Sequence, residues 1–184
     1  MCRKKSLSLN KILINKSNGA FQAEKHQVDE YFSPAHRNFL DIRPVEEWLR
    51  LRDADGKYSI NYKNWHFEQD GKSHYCDKIE TKVENINQMK NIFSALDFES
   101  MVIVDKLRKI YNYKDYEVAI DSVKNLGDFI EVEYIGTDEK ISPAKVAGEM
   151  VDFLKEAGCE NIMKNYVGYP FLLLFPEEAK YEEQ

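Results

Sequence analysis

The chain reads as an α+β protein built on an antiparallel sheet with helices packed outside it. Three observations point that way. Segments rich in tyrosine, valine and isoleucine follow one another closely. Two of the gaps between them carry turn chemistry, Asp55-Gly56 and Lys124-Asn125-Leu126-Gly127. Two segments of helical periodicity interrupt the series. Hairpin turns make neighbouring strands antiparallel, and helices set between blocks of strands separate α+β folds from repeated βαβ units.

Residues 45–53, 57–63, 77–84, 101–111, 116–123 and 129–134 are the strand candidates. The first helix is predicted over residues 86–96. Ile86, Met89, Phe93 and Leu96 share one face, and Asn85 with Gln88 resembles a capping box. The second is predicted over 143–157. Ser142 is its N-cap, Pro143 takes the first helical position and Gly158 follows as a stop. Val146, Ala147, Met150, Val151 and Leu154 form its apolar stripe. A weaker helical pattern covers residues 10–16.

The bulk properties narrow the classes. At 184 residues the chain is long enough for one domain with a real core. A net charge of −6 argues against a broad nucleic-acid surface, so a polyanion would need a local basic site. No apolar run approaches the ~20 residues that a membrane helix needs. The longest, 171–175, is strand-sized. Arg3, Lys4 and Lys5 precede no apolar h-region, so no signal peptide is expected. Cys2, Cys76 and Cys159 are odd in number and widely spaced, which fits a reducing cytoplasm better than a disulfide framework.

Sorting strand residues by parity separates an apolar face from a charged one. Leu49 and Leu51 oppose Arg50 and Arg52. Tyr58, Ile60 and Tyr62 oppose Ser59, Asn61 and Lys63. Lys78, Glu80 and Lys82 share a face, as do Lys106 with Arg108 and Glu117 with Asp121. Ile130, Val132 and Tyr134 oppose Glu131 and Glu133. Two readings fit. The charged faces meet water on a half-buried sheet, or they line the inside of a barrel whose apolar faces pack outward against helices. In the second case the chemistry is specific. Arginine forks and lysine ammonium groups neutralise a triphosphate directly. Carboxylates in the same cavity would repel it unless a divalent metal stood between them, and Mg²⁺ takes one or two carboxylates plus phosphate oxygens and water.

The order of short motifs adds a resemblance. Gln27-Val28-Asp29-Glu30-Tyr31-Phe32 is followed by Arg37-Asn38-Phe39, then by Leu49-Arg50-Leu51-Arg52, Tyr62-Lys63 and Glu80. Next come Lys106-x-Arg108, Asp121-Ser122-Val123 with Leu126-Gly127, Glu131-Val132-Glu133 and finally Tyr169-Pro170-Phe171-Leu172-Leu173. Over roughly residues 19–175 this resembles the CYTH superfamily, and the class IV adenylyl cyclase branch in particular. The resemblance implies an antiparallel eight-stranded β-barrel, the triphosphate tunnel, with helices packed outside. Residues 1–184 would form a single domain, with a degenerate first strand and helix over 1–18 and a flexible acidic tail over 177–184.

The resemblance also implies roles. Arg50, Arg52, Lys63, Lys106 and Arg108 would hold the phosphates. Glu131 would bind a divalent metal, Mg²⁺ or Mn²⁺, with Glu133 and Glu80 as further acidic contributors. Asp121 would face the substrate and orient it or accept a proton, so that Asp121, Lys106 and Arg108 form the catalytic set. The partner would be a nucleotide or another triphosphate, with no nucleic acid and no membrane. Pairing through outer surfaces, common among tunnel proteins, implies a homodimer.

One departure bears on activity. CYTH proteins open with Glu-x-Glu-x-Lys on their first strand, where the glutamates help bind metal. Residues 1–10 here contain no glutamate. A strand over residues 4–9 is still expected, because its loss would expose a sheet edge. Three activities therefore stay open: cyclisation of ATP to cyclic AMP and pyrophosphate, hydrolysis of thiamine triphosphate or tripolyphosphate, and binding without turnover. Other signals carry less. His66, His74 and Cys76 lack a fourth ligand at zinc spacing, and His26 and His36 have no serine or cysteine partner for a triad.

Overall fold

A computed structural model describes residues 21–67, 75–137, 142–156, 159 and 162–184. The expected strand over 4–9 and the helix over 10–16 lie outside the described residues. The long strands are β1 (Phe21–Pro34), β2 (Glu47–Ala54), β3 (Lys57–His66), β4 (Tyr75–Val83), β5 (Phe98–Tyr113), β6 (Tyr116–Val123) and β7 (Gly127–Tyr134). They hydrogen-bond in the order β4-β3-β2-β1-β5-β6-β7. Helix α1 (Ile86–Ala95) separates β4 from β5, and α2 (Pro143–Glu156) follows β7. This is the expected α+β class with a large antiparallel sheet.

Both predicted turns form, and the backbone shows why those residues serve. Asp55 and Gly56 have φ of 52° and 79° in the β2–β3 hairpin, the paired positive values that a two-residue turn requires. Asn125 and Gly127 take φ of 67° and 101° between β6 and β7. The predicted cap on α1 also forms, with the Asn85 side chain accepting from the Gln88 backbone N–H at 3.0 Å. Asn85→Ala should therefore cost about 1 kcal/mol, measurable by urea unfolding.

The chain divides into two compact units. One gathers residues 26–105 and 166–179. Its apolar core is Phe32, Leu51 and Phe93, with Leu49, Ile60, Met89 and Phe98 packed against it, so α1 covers the apolar face of β1–β3. The other gathers 106–165 and 180–184 with the start of β1. Its core is Tyr111, Val118, Ile120, Phe153, Cys159 and Ile162, so α2 covers the apolar face of β5–β7. In each unit the helix takes the apolar side that parity assigned, and the charged residues fall on the opposite side of the same strands.

Two segments add to the expected elements. β1 was seen only as a motif, although it is a 14-residue strand. Its buried positions include Gln27, Asp29 and Ser33, so hydropathy does not alternate along it. The strand-sized run 171–175 lies mostly within a short helix, α3 (Tyr169–Leu174), in which Tyr169, Pro170, Phe171 and Leu172 are buried. Proline near the first helical position favours that start. Beyond it, Glu182–Glu183 pairs with Met163–Lys164 in a short antiparallel ladder.

Candidate functional site

In the unit of residues 26–105, the charged face of β2 meets β1 on one side and β3 on the other. Asp29 stands directly across from Arg52, and Tyr31 across from Arg50. Asp29 is 1 % exposed, yet it is the hub of the cluster. Arg52 donates to it from Nε at 2.5 Å and from Nη2 at 2.6 Å, and Arg50 Nη1 donates at 3.3 Å. A forked contact of this kind fixes the guanidinium plane as well as its position. Burial opposes the Arg50 charge, but Asp29 and then Tyr31 outweigh it and raise the Arg50 pKa. Burial, and next the Asp29 charge, push the Tyr31 phenol up to about 12, so Tyr31 stays neutral at ordinary pH. Arg50 Nε is buried without a hydrogen-bond partner among the described residues.

On the other flank, buried Asn61 lies across from Arg50 and from Glu80. Its Nδ2 donates to Glu80 Oε2 at 3.4 Å, and Ser59 donates to Oε1 at 3.3 Å. Burial alone would raise the Glu80 pKa. The hydrogen bond and charge of Lys78, then the charges of Arg50 and Arg52, pull it below its ordinary value. Glu80 is thus an ionised carboxylate held among cations. Lys63 follows Asn61 on the same face of β3, with its ammonium 5.5 Å from the Trp65 ring centroid.

The unit containing residues 106–165 carries the remaining expected residues. Asp121 stands across from Arg108. It is fully buried, and Lys106 is only 4 % exposed. Arg108 donates to Asp121 from Nε at 2.7 Å and from Nη2 at 2.5 Å, and Lys106 Nζ donates at 3.3 Å. Arg108 Nη2 also donates to Glu131, whose side chain is 49 % exposed. Glu133 lies across from Glu117, and both belong to the face that carries Asp121. Asp121 meets cations at both of its oxygens, which is the geometry of an orienting group.

The carboxylates were tested as a metal site. No group of three or more His, Cys, Asp or Glu residues placed to hold a metal occurs among the described residues. Residues 1–20 contain no aspartate or glutamate to complete one. Among the described residues the carboxylates therefore do not form a complete metal site by themselves. A Mg²⁺ that arrives on phosphate oxygens needs only one or two carboxylates, and Glu131 and Glu133 are both exposed on this face. His66 pairs with Asp77 at 2.7 Å rather than joining a zinc set, and His74 lies outside the described residues.

Sequence reasoning missed Asp29 and Asn61 as members of these clusters. Parity on β3 had placed Asn61 on the charged face. Parity applied to Gln27-x-Asp29-x-Tyr31 would have found Asp29, had that segment been read as a strand.

An antiparallel sheet with helices on its apolar side and part-buried arginine with buried lysine and aspartate on the other defines a class of α+β proteins with a charged sheet face. The chain belongs to the CYTH family, whose domain model matches residues 3–165. It is 35% identical over 148 residues to the Methanocaldococcus jannaschii protein named "Putative adenylate cyclase MJ0240", covering 79% of this chain and 81% of that one. Its fold matches the PH1819 protein of Pyrococcus horikoshii at a TM-score of 0.69 and 22% identity, covering 86% and 88% of the two chains. It also matches a Hippeastrum protein, HpAC1, at a TM-score of 0.64 and 18% identity, over 96% and 92%. That protein's published description gives it a dominant triphosphatase activity. Members of the family are generally metal-dependent. No described helix is long and apolar enough to cross a membrane.

Proposed function

We propose that this protein is a cytoplasmic triphosphate-binding enzyme of the class IV adenylyl cyclase type, converting ATP to cyclic AMP and pyrophosphate. The observation that carries the binding reading is the two cation pairs, part-buried Arg50 with Arg52 and buried Lys106 with part-buried Arg108, each oriented by a buried aspartate. Buried cations on a sheet face are costly unless they serve a charged partner. Together with Lys63, these residues would hold phosphate oxygens. In the reaction the ribose 3′-oxygen bonds to the α-phosphorus as the bond to the bridging oxygen breaks. Pyrophosphate leaves with the electron pair, and the hydroxyl proton passes to solvent. Oriented cations favour this step by stabilising charge on the departing phosphates. A divalent metal, when bound, would neutralise phosphate oxygens, with Glu131 and then Glu133 and Glu80 as its carboxylates. Asp121 orients Lys106 and Arg108.

The name of the Methanocaldococcus relative supports the cyclase. The Hippeastrum protein supports a second reading, in which water attacks the terminal phosphate of tripolyphosphate, thiamine triphosphate or a nucleotide. Incubation with ATP, thiamine triphosphate or tripolyphosphate, under Mg²⁺ or Mn²⁺ and followed by phosphorus NMR, separates them. Cyclic AMP with pyrophosphate is the expected result. Orthophosphate would replace the cyclase by a triphosphatase. Binding without turnover would leave a non-catalytic module, consistent with the lack of carboxylates in residues 1–20.

A further inference from the structure

The two cation pairs share one construction. Each is a cation-x-cation sequence on one strand, met by a buried aspartate on the neighbouring strand directly across from its second member. The atoms correspond as well. In both clusters the cross-strand arginine gives Nε to Oδ1 and Nη2 to Oδ2 of the aspartate. In both, the cation two residues earlier reaches Oδ2 at 3.3 Å. Such coincidence is not needed to stabilise a sheet. In each cluster one nearly inaccessible aspartate serves two cations, whereas a surface ladder would use exposed pairs at lower desolvation cost. A guanidinium locked in a fixed plane is what forked recognition of phosphate oxygens requires.

We infer that Asp29 is a positioning residue for phosphate binding, holding Arg50 and Arg52 as Asp121 holds Lys106 and Arg108. This rests on the triphosphate reading above. The inference has an unusual sign. Electrostatics alone predicts that deleting a negative charge beside two arginines strengthens binding of a polyanion. Positioning predicts the opposite, because the freed guanidinium groups lose their common plane and must be ordered again on binding.

The test is titration calorimetry of tripolyphosphate against the full chain and its Asp29→Asn variant, with folding checked by far-UV circular dichroism. Asp29→Asn should weaken binding about tenfold, the loss expected when one charge-assisted fork is removed at ~1.4 kcal/mol per tenfold. Tighter binding would show that Asp29 is only a counter-ion and would overturn the inference. A lower melting temperature with unchanged affinity would make Asp29 purely structural and overturn it too. Arg52→Lys guards against a variant that fails to fold, since it keeps the ion pair and removes the fork. It should lose affinity similarly, and wild-type affinity would count against positioning. A ligand-free readout separates this idea from the function it rests on. In arginine side-chain NMR, rotation about the Arg52 Nε–Cζ bond should be hindered in the wild type and released in Asp29→Asn, while Arg108 is unchanged. Hindered rotation without tripolyphosphate binding by the wild type would remove the triphosphate reading and keep the clamp. Equal mobility of Arg52 in both proteins would remove the clamp.

Discussion

Arg108→Gln should weaken tripolyphosphate binding by about 30- to 3,000-fold. Truncating one partner of a buried, hydrogen-bonded charge pair costs roughly 2–5 kcal/mol, and each ~1.4 kcal/mol is a factor of ten. Arg108 sits at the upper end of residues that could show this. Its guanidinium is fixed by Asp121 and also reaches Glu131, so its plane is set before any ligand arrives. Glutamine keeps part of the length and removes both the charge and the fork. Arg108→Lys should recover only part of the loss, because an ammonium restores charge without the planar donors. The measurement is calorimetric titration below the variant's melting transition. The affinity should also fall with added salt in the wild type, since the site works by charge. Undiminished binding by folded Arg108→Gln would remove β5 from the phosphate site.

The second large effect is on stability. Asp121→Asn should destabilise the protein by about 3–5 kcal/mol, because it leaves Lys106 and Arg108 buried without their carboxylate. For a chain of this size each kcal/mol lowers the melting temperature by about 2–4 °C, so a drop on the order of 10 °C is expected. The cause can be separated from simple loss of packing. If Asp121 also positions Lys106 and Arg108 for phosphate, a fixed concentration of tripolyphosphate should raise the melting temperature of the variant by less than that of the wild type. Tripolyphosphate at 100 times its dissociation constant stabilises a folded state by ~2.7 kcal/mol, enough to resolve by calorimetry. An equal shift in both proteins would assign Asp121 to packing. The same variant bears on mechanism. A strong pH dependence of turnover that vanishes in Asp121→Asn would support the proton-accepting role. Retained pH dependence with a uniform loss of turnover fits the orienting one.

Much of this was legible beforehand, for reasons that differ between elements. The hairpins were readable because Asp55-Gly56 and Asn125 with Gly127 tolerate backbone angles that few residues accept. Helix α1 was readable because its cap and apolar face are local features, and the structure places its end within one residue of the expectation. Charged faces were readable on β2, β3, β5, β6 and β7 because polar or charged residues recur there at alternate positions. β1 escaped because polar side chains occupy its buried positions.

By itself the sequence determined the α+β class, the turns, which side of each strand carries charge and the CYTH family to which the chain belongs. Those properties follow from residue types at short spacing. The tertiary structure alone decided partnership: that Asp29 meets Arg50 and Arg52, that Asp121 meets Lys106 and Arg108, and that Glu80 is held by Asn61 and Ser59. These contacts join residues 13–23 positions apart or are set by the register of neighbouring strands. A shift of one residue in that register would turn every one of these side chains to the opposite face. Spacing along a chain carries no record of register, so only the assembled sheet could show which carboxylate holds which cation.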